Sequence, residues 1–193
     1  EGEAQAAYIV KKGEAYAVVS QDTDSLIFGA TKVVKNLAIT GRKKLVGKLA
    51  YETVLPELII LKDNLKNLDL TQEQLIVLAM LVGTDYNIGG IKGIGPKKAY
   101  DLVKKHRDNF ELIFSESKWN EHFDYSWQEV FDLLKNVKVS NEYKISFGSV
   151  QRDKLIELLV NEHNFSSERV NSALDKLDKK EEKKAQKGLS DFF

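Results

Sequence analysis

Five carboxylates fall in three short clusters: Glu1-Gly2-Glu3, Asp22-Thr23-Asp24, and Asp85 within Gly83-Thr84-Asp85-Tyr86. Brought together, they would repel one another strongly unless cations sat between them. An oxygen-only donor set, with no His or Cys beside it, suits magnesium or manganese and argues against zinc. Two such ions about 4 Å apart can activate a water and stabilise the leaving oxygen of a phosphodiester. Residues two apart on a helix point about 200° apart, so Glu1 and Glu3 share a site only if Glu1 lies at or just before the first turn. There the helix dipole favours negative charge. Asp22 and Asp24 project to the same side if their segment is extended. Spacing alone leaves a second reading equally open, in which each acid is a solvated surface residue.

A different chemistry is written in Gly89-Gly90-Ile91-Lys92-Gly93-Ile94-Gly95-Pro96-Lys97-Lys98. Gly93 and Gly95 flank Ile94 just ahead of a helix start that carries two lysines. Glycine lets main chain approach a ligand closely, and free N–H groups at a helix N-terminus bind anions. This is the logic of a helix-hairpin-helix contact, which holds backbone phosphates and ignores base sequence. Lys92, Lys97, Lys98, Lys104, Lys105, His106 and Arg107 form a local basic patch, with His106 on its solvated face. The competing reading is an ordinary glycine-rich turn. A third signal ends the chain: Gln186, Leu189, Phe192 and Phe193 follow a charged run. Leu189 and Phe192 share one side of a helical turn, which makes an anchor for a partner's apolar pocket.

Lys plus Arg and Asp plus Glu both number 29, so bulk charge says nothing about a nucleic-acid partner. There is no Cys, which excludes disulfides, thiolate metal sites and Cys nucleophiles and suits an intracellular protein. No stretch approaches the roughly 18 apolar residues of a membrane span. The chain starts without Met and inside a helical pattern, as expected of the downstream part of a longer protein.

The elements that must position these groups follow from periodicity and punctuation. A helix runs from Glu3 to Lys12-Gly13, and strands are expected at Ala15–Val19, Val33–Ile39 and Lys48–Val54, with Gly41–Lys44 as a polar turn. Ser20-Gln21-Asp22-Thr23-Asp24 sits at a strand's carboxyl end, where sites gather in open α/β sheets. Pro56 opens a helix to about Leu68, Thr71 caps a buried helix ending at Gly83, and Pro96 opens another. The remainder reads as helical, with a less regular patch from Lys135 to Val150 and a well-patterned helix from Ser166 to Leu177. The expected fold is α/β: a central, mostly parallel sheet flanked by helices, a helix-hairpin-helix over residues 71–106, and a helical C-terminal region. The domain plan is a body over 1–177, a charged linker over 178–185 and a terminal tail over 186–193.

These motifs resemble the archaeal and eukaryotic flap endonucleases of the structure-specific 5′ nuclease superfamily. Glu1-Gly2-Glu3-Ala4 is similar to the family's E-x-E-A helix and Gln21-Asp22-Thr23-Asp24 to its Q-D-x-D segment. Leu81-Val82-Gly83-Thr84-Asp85-Tyr86 with the following glycine block resembles its L-x-G-[ST]-D-Y and hairpin region, and Gln186 to Phe193 its sliding-clamp motif. The resemblance covers the whole chain. It implies a metal-dependent 5′ flap endonuclease or exonuclease of DNA replication and repair. Glu1, Glu3, Asp22, Asp24 and Asp85 would serve two Mg2+ ions, with Mn2+ able to substitute. Lys92, Gly93, Gly95, Lys97 and Lys98 would hold the duplex of a branched DNA with a 5′ flap. Main-chain carbonyls near Gly90, Ile91 and Ile94 would bind K+, and the tail would bind the sliding clamp, PCNA. The family's N-terminal half, with further aspartates and a helical arch, has no counterpart here, so the resemblance implies an incomplete active site in this chain alone. A motif ending flush at Phe193 resembles archaeal more than eukaryotic members. The resemblance implies an intracellular protein, of the cytoplasm or nucleoid if archaeal and of the nucleus if eukaryotic. The alternatives are a non-catalytic fragment that binds DNA and clamp, and a repair- or exonuclease-type relative.

Overall fold

Small residues spaced three apart let the first helix lie close to its neighbours: α1 (Gly2–Lys11) buries Ala4, Ala7 and Val10. It packs with β1 (Val18–Val19) and β2 (Lys32–Lys35) around a small core of Ala7, Val10, Val18, Ala30 and Val33. Between the two strands lies a one-turn helix, α2 (Asp24–Ile27). The computed structural model describes residues 2–37, 41–44, 51–146 and 148–185. Contacts gather the chain into two units, Glu1–Asn141 and Glu142–Phe193.

The sheet is mixed, which corrects the expectation of a mostly parallel one. Its strand order is β1-β2-β5, where β5 is Glu57–Ile60. Val18 faces Val33 in a parallel pair, whereas Lys32 faces Ile60 in an antiparallel one. Gly41–Lys44, expected as a turn, is a strand (β3) that pairs antiparallel with β4 (Tyr51–Val54). The expected helix behind Pro56 begins only at Leu61, as α3 (Leu61–Leu68). The β-prone run Leu58-Ile59-Ile60 prefers pairing with β2, and the chain between β2 and β5 returns on itself, which makes that pair antiparallel. Of the expected strands, Ala15–Val19 is reduced to Val18–Val19, Val33–Ile39 ends at Lys35, and Lys48–Val54 is a strand over Tyr51–Val54; residues 38–40 and 45–50 lie outside the described residues.

The main core forms around α4 (Gln72–Val82), which is apolar almost all round and therefore buried. Thr71 and Gln74 close a reciprocal capping box at its start. Ile76, Val77, Met80 and Leu81 pack against α5 (Pro96–His106), α6 (Phe110–Glu116), the turn Trp119–Glu121 and α7 (Trp127–Lys135). Trp119 meets Phe114 edge-on at 5.2 Å, and its Nε1 donates to the Tyr125 carbonyl at 2.7 Å, so its one polar atom is satisfied in the core.

The second unit contains α8 (Arg152–Ile156), a π-helical turn (Glu157–Glu162) and α9 (Ser167–Ala185). Val170 and Leu174 are buried in it, and Arg152 bridges to Asp175 at 2.7 Å. The expected linker over 178–185 is helical, because Lys, Glu and Ala lose little freedom in a helix and need no core to remain in one. Residues 186–193 lie outside the described residues. Among the described residues no helix is long and apolar enough to cross a membrane.

Candidate metal and nucleic-acid site

Three distant segments deliver their acids to one cleft. Glu3 from the first turn of α1, Asp22 and Asp24 from the end of β1 and the start of α2, and Asp85 after α4 line a cavity of about 130 Å³ with Ile27, Phe28, Thr84, Tyr86 and Leu134. Glu1 lies outside the described residues. Asp22 and Asp24 do not sit on extended chain: Asp22 is in a bend and Asp24 is the first residue of α2. A turn brings them to one side where a strand was expected to do so. The site does lie at the carboxyl end of β1, where open sheets place their sites.

Each acid has its own support. Glu3 Oε1 accepts from Ser20 Oγ at 2.7 Å and Oε2 from the Ser25 backbone N–H at 2.9 Å. Asp22 Oδ1 accepts from the Thr23 N–H at 2.6 Å. Gln72, at the start of α4, donates through Nε2 to the carbonyls of Leu26 and Ile27 at 2.9 and 2.7 Å, which ties α2 to α4. The Asp85 loop hangs on fully buried Asn87. Asn87 Nδ2 donates to the Met80 carbonyl at 2.6 Å, and its Oδ1 accepts from Thr84 Oγ1 at 2.6 Å. Sequence reasoning missed Ser20, Gln72 and Asn87, because an uncharged side chain shows its partners only after folding.

The donor set, carboxylate oxygens with a threonine nearby, fits a hard divalent cation and offers nothing to a softer one. Among the described residues no three acids or imidazoles converge closely enough to chelate one ion as they stand. The cleft gathers these acids from three segments on one lining.

Beside the cleft, Gly83 and Gly90 bring two stretches of main chain into direct contact. A Cβ at Gly90 would lie 2.3 Å from the Val82 carbonyl, and one at Gly83 would lie 2.8 Å from the Gly90 nitrogen. Ile91 is buried and donates its N–H to the Leu81 carbonyl at 2.9 Å, so the glycine loop is riveted to the end of α4. Ile94 is half-buried, and its N–H donates to the Ile91 carbonyl at 3.0 Å. Lys92, Lys97 and Lys98 are exposed around Gly93 and Gly95 at the start of α5, with Lys98 Nζ donating to the Gly93 carbonyl at 2.9 Å.

The basic patch is smaller than the sequence suggests. Lys104 and Arg107 are held by Asp69, which ends α3 in a left-handed conformation. The hydrogen bond from Lys104, then that from Arg107, holds the Asp69 carboxyl down at about 2. Lys105 and His106 both bind Glu116 of α6, at 2.8 and 2.6 Å, and lower its pKa. His106, expected on a solvated face, is only 14% exposed in its side chain. These four bases fasten α3, α5 and α6 together, which leaves Lys92, Lys97 and Lys98 as the cations at the hairpin.

Known proteins are similar to this chain. The XPG I-region family model matches residues 1–85. Flap endonuclease 1 of Pyrococcus horikoshii is 44% identical over 193 residues, covering 100% of this chain and 54% of that protein. Flap endonuclease 1 of Aeropyrum pernix is 47% identical over 179 residues, 93% of this chain and 51% of that protein. Among solved structures, flap endonuclease-1 from Methanococcus jannaschii matches with a TM-score of 0.75 at 37% identity, over 92% of this chain and 50% of that one. The catalytic core of Rad2 in complex with DNA substrate shares the fold, with a TM-score of 0.64 at 22% identity. The chain spans about half the length of the curated relatives it matches.

Proposed function

Because the chain belongs to the flap endonuclease family along its whole length, we propose that it supplies part of the catalytic site and the duplex-holding element of a structure-specific 5′ flap endonuclease. The observation that carries this reading is the convergence of Glu3, Asp22, Asp24 and Asp85 from three segments on one cleft. With Glu1, these residues would hold two Mg2+ ions, or Mn2+ in their place. Bound there, such ions supply an activated water and charge stabilisation for phosphodiester hydrolysis. The chain's own part is to orient the acids: Ser20 and the Ser25 N–H hold Glu3, and Asn87 holds the Asp85 loop.

Helices α4 and α5 with the loop between them act as the helix-hairpin-helix. Gly93 and Gly95 admit a phosphate to the main chain, Lys92, Lys97 and Lys98 neutralise it, and carbonyls at Gly90, Ile91 and Ile94 would take a K+ ion between protein and DNA backbone. A second reading, a chain that binds DNA and clamp without cutting by itself, is favoured by one observation: the chain spans about half the length of the curated relatives it matches.

The test of the proposal uses a protein of the relatives' length that contains this chain. It is offered a 5′ flap, a nicked duplex and a single strand of the same sequence, with magnesium and with a chelator. Magnesium-dependent release of the flap, faster than cutting of the other two, is the expected result; equal cutting of all three would overturn the flap specificity. Lys97→Glu with Lys98→Glu should weaken duplex binding for every sequence and flatten the slope of log affinity against log salt by about one to two, because each phosphate contact releases counterions. An unchanged slope would turn this face away from the DNA.

The tail forms a third part of the proposal. Gln186, Leu189, Phe192 and Phe193, outside the described residues, would dock on a PCNA-type sliding clamp, with the aromatic pair as a hot spot. A peptide covering residues 186–193 should bind the clamp of the same organism in calorimetry, and Phe192→Ala with Phe193→Ala should abolish that binding. No heat of binding from the unchanged peptide would refute the assignment.

A further inference from the structure

We infer that Ser20 is a positioning residue for the carboxylate cleft, acting on Glu3 and on the Asp22 turn through one hydroxyl group. The inference rests on the reading of the cleft as a divalent-cation site. Ser20 Oγ donates to Glu3 Oε1 at 2.7 Å and accepts the Asp22 N–H at 3.0 Å, which uses its single proton and one lone pair. Its own backbone is anchored, because the Ser20 N–H donates to the Val34 carbonyl of β2 at 3.2 Å. The hydroxyl is thus presented from the sheet and does not hang from a free loop. At the other end of the segment the Ser25 N–H, on a fully buried residue, holds Glu3 Oε2 at 2.9 Å.

The stretch from Ser20 to Ser25 is therefore clasped around one carboxylate, with Asp22 and Asp24 carried between its two ends. This matters because a carboxylate already held in one orientation gives up less freedom when it takes a cation. Neighbours that orient metal-binding carboxylates typically change metal affinity by 10- to 100-fold when removed, without touching the ion themselves. Ser20 touches two of the acid-bearing segments at once, so its loss leaves Glu3 held by the Ser25 N–H alone and lets the Asp22 turn relax.

The experiment is a Mn2+ titration of a protein of the relatives' length that contains this chain, followed by electron paramagnetic resonance, for the unchanged protein, Ser20→Ala and Ser20→Thr. Ser20→Ala should raise the Mn2+ dissociation constant by about tenfold or more. Ser20→Thr, which keeps the hydroxyl, should restore it to within about threefold, while the unfolding midpoint in chelator stays close to that of the unchanged chain. Equal Mn2+ affinity in Ser20→Ala overturns the positioning role alone. Failure of the unchanged protein to bind Mn2+ overturns the cation reading and this inference with it. If Ser20→Ala does not fold, Ser20→Cys, close in size but a weak donor, gives the same comparison.

Discussion

Replacing Asp22, Asp24 and Asp85 together with asparagine should reduce flap cleavage by more than about a thousandfold in a protein of the relatives' length, while duplex affinity changes by no more than about threefold. Asparagine keeps the size and polarity of each side chain and removes only its charge, so the cleft lined by these residues keeps its shape but loses its attraction for divalent ions. In the proposed reading duplex affinity is carried elsewhere, by Lys92, Lys97 and Lys98, which are exposed. Asp85→Asn alone should already cost about a hundredfold or more. Cleavage and binding are measured on the same flap substrate. If the triple variant cuts at the original rate, the carboxylates are surface residues and the metal-site reading fails; if binding collapses in parallel, the acids support the fold more than the reaction.

Gly90→Ala should destabilise the first unit by about 3 kcal/mol or more, lowering its unfolding midpoint by roughly 10 °C. The added Cβ would stand 2.3 Å from both the carbonyl carbon and the oxygen of Val82 and 2.7 Å from the Gly83 nitrogen, all of them backbone atoms that cannot turn aside. Gly90 also has φ +57, which disfavours any residue bearing a Cβ. The same loop gives internal controls. Gly93 has φ +85 but open space, so alanine there should cost about 1 kcal/mol. Gly95, with φ −93 and nothing within 4 Å, should accept alanine with little change in stability, although both Gly93 and Gly95 are DNA-contact candidates. Thermal unfolding monitored by circular dichroism distinguishes the three; a Gly90→Ala chain as stable as the Gly95→Ala chain would mean that the close main-chain approach does not persist in solution. Since Gly90 packs against the end of α4, from which the Asp85 loop starts, the first substitution should disturb the cleft as well.

The elements legible in the sequence were those written by local rules. The capping box at Thr71 and Gln74, the all-round apolar α4 and the proline that opens α5 each follow from neighbours within a few residues, and all three form as expected. Misreadings arose where a distant partner decided. Gly41-Arg42-Lys43-Lys44 has the composition of a turn, yet pairing with Tyr51–Val54 draws it into a strand. Pro56 announces a helix, yet Leu58 to Ile60 find β2 first. The basic run at the end of α5 looks like a nucleic-acid surface until Asp69 and Glu116 take up its charges.

The sequence by itself determined the chemistry on offer: oxygen ligands for hard cations without a sulfur competitor, a glycine and lysine hairpin at a helix start, and a terminal apolar anchor. Residue types and short spacings are local properties, and coordination preference and helix capping depend on little else. Tertiary structure decided which of those groups act together. It placed Glu3, Asp22, Asp24 and Asp85 on one cleft, spent Lys104, Lys105, His106 and Arg107 on holding helices, and set Ser20 between two acids. Those outcomes turn on distances between residues as far apart in the chain as Asp69 and Arg107, 38 positions from one another. A carboxylate or a lysine has the same formula in a site or in an ion pair, and only the packing that brings its partner within a hydrogen bond distinguishes the two.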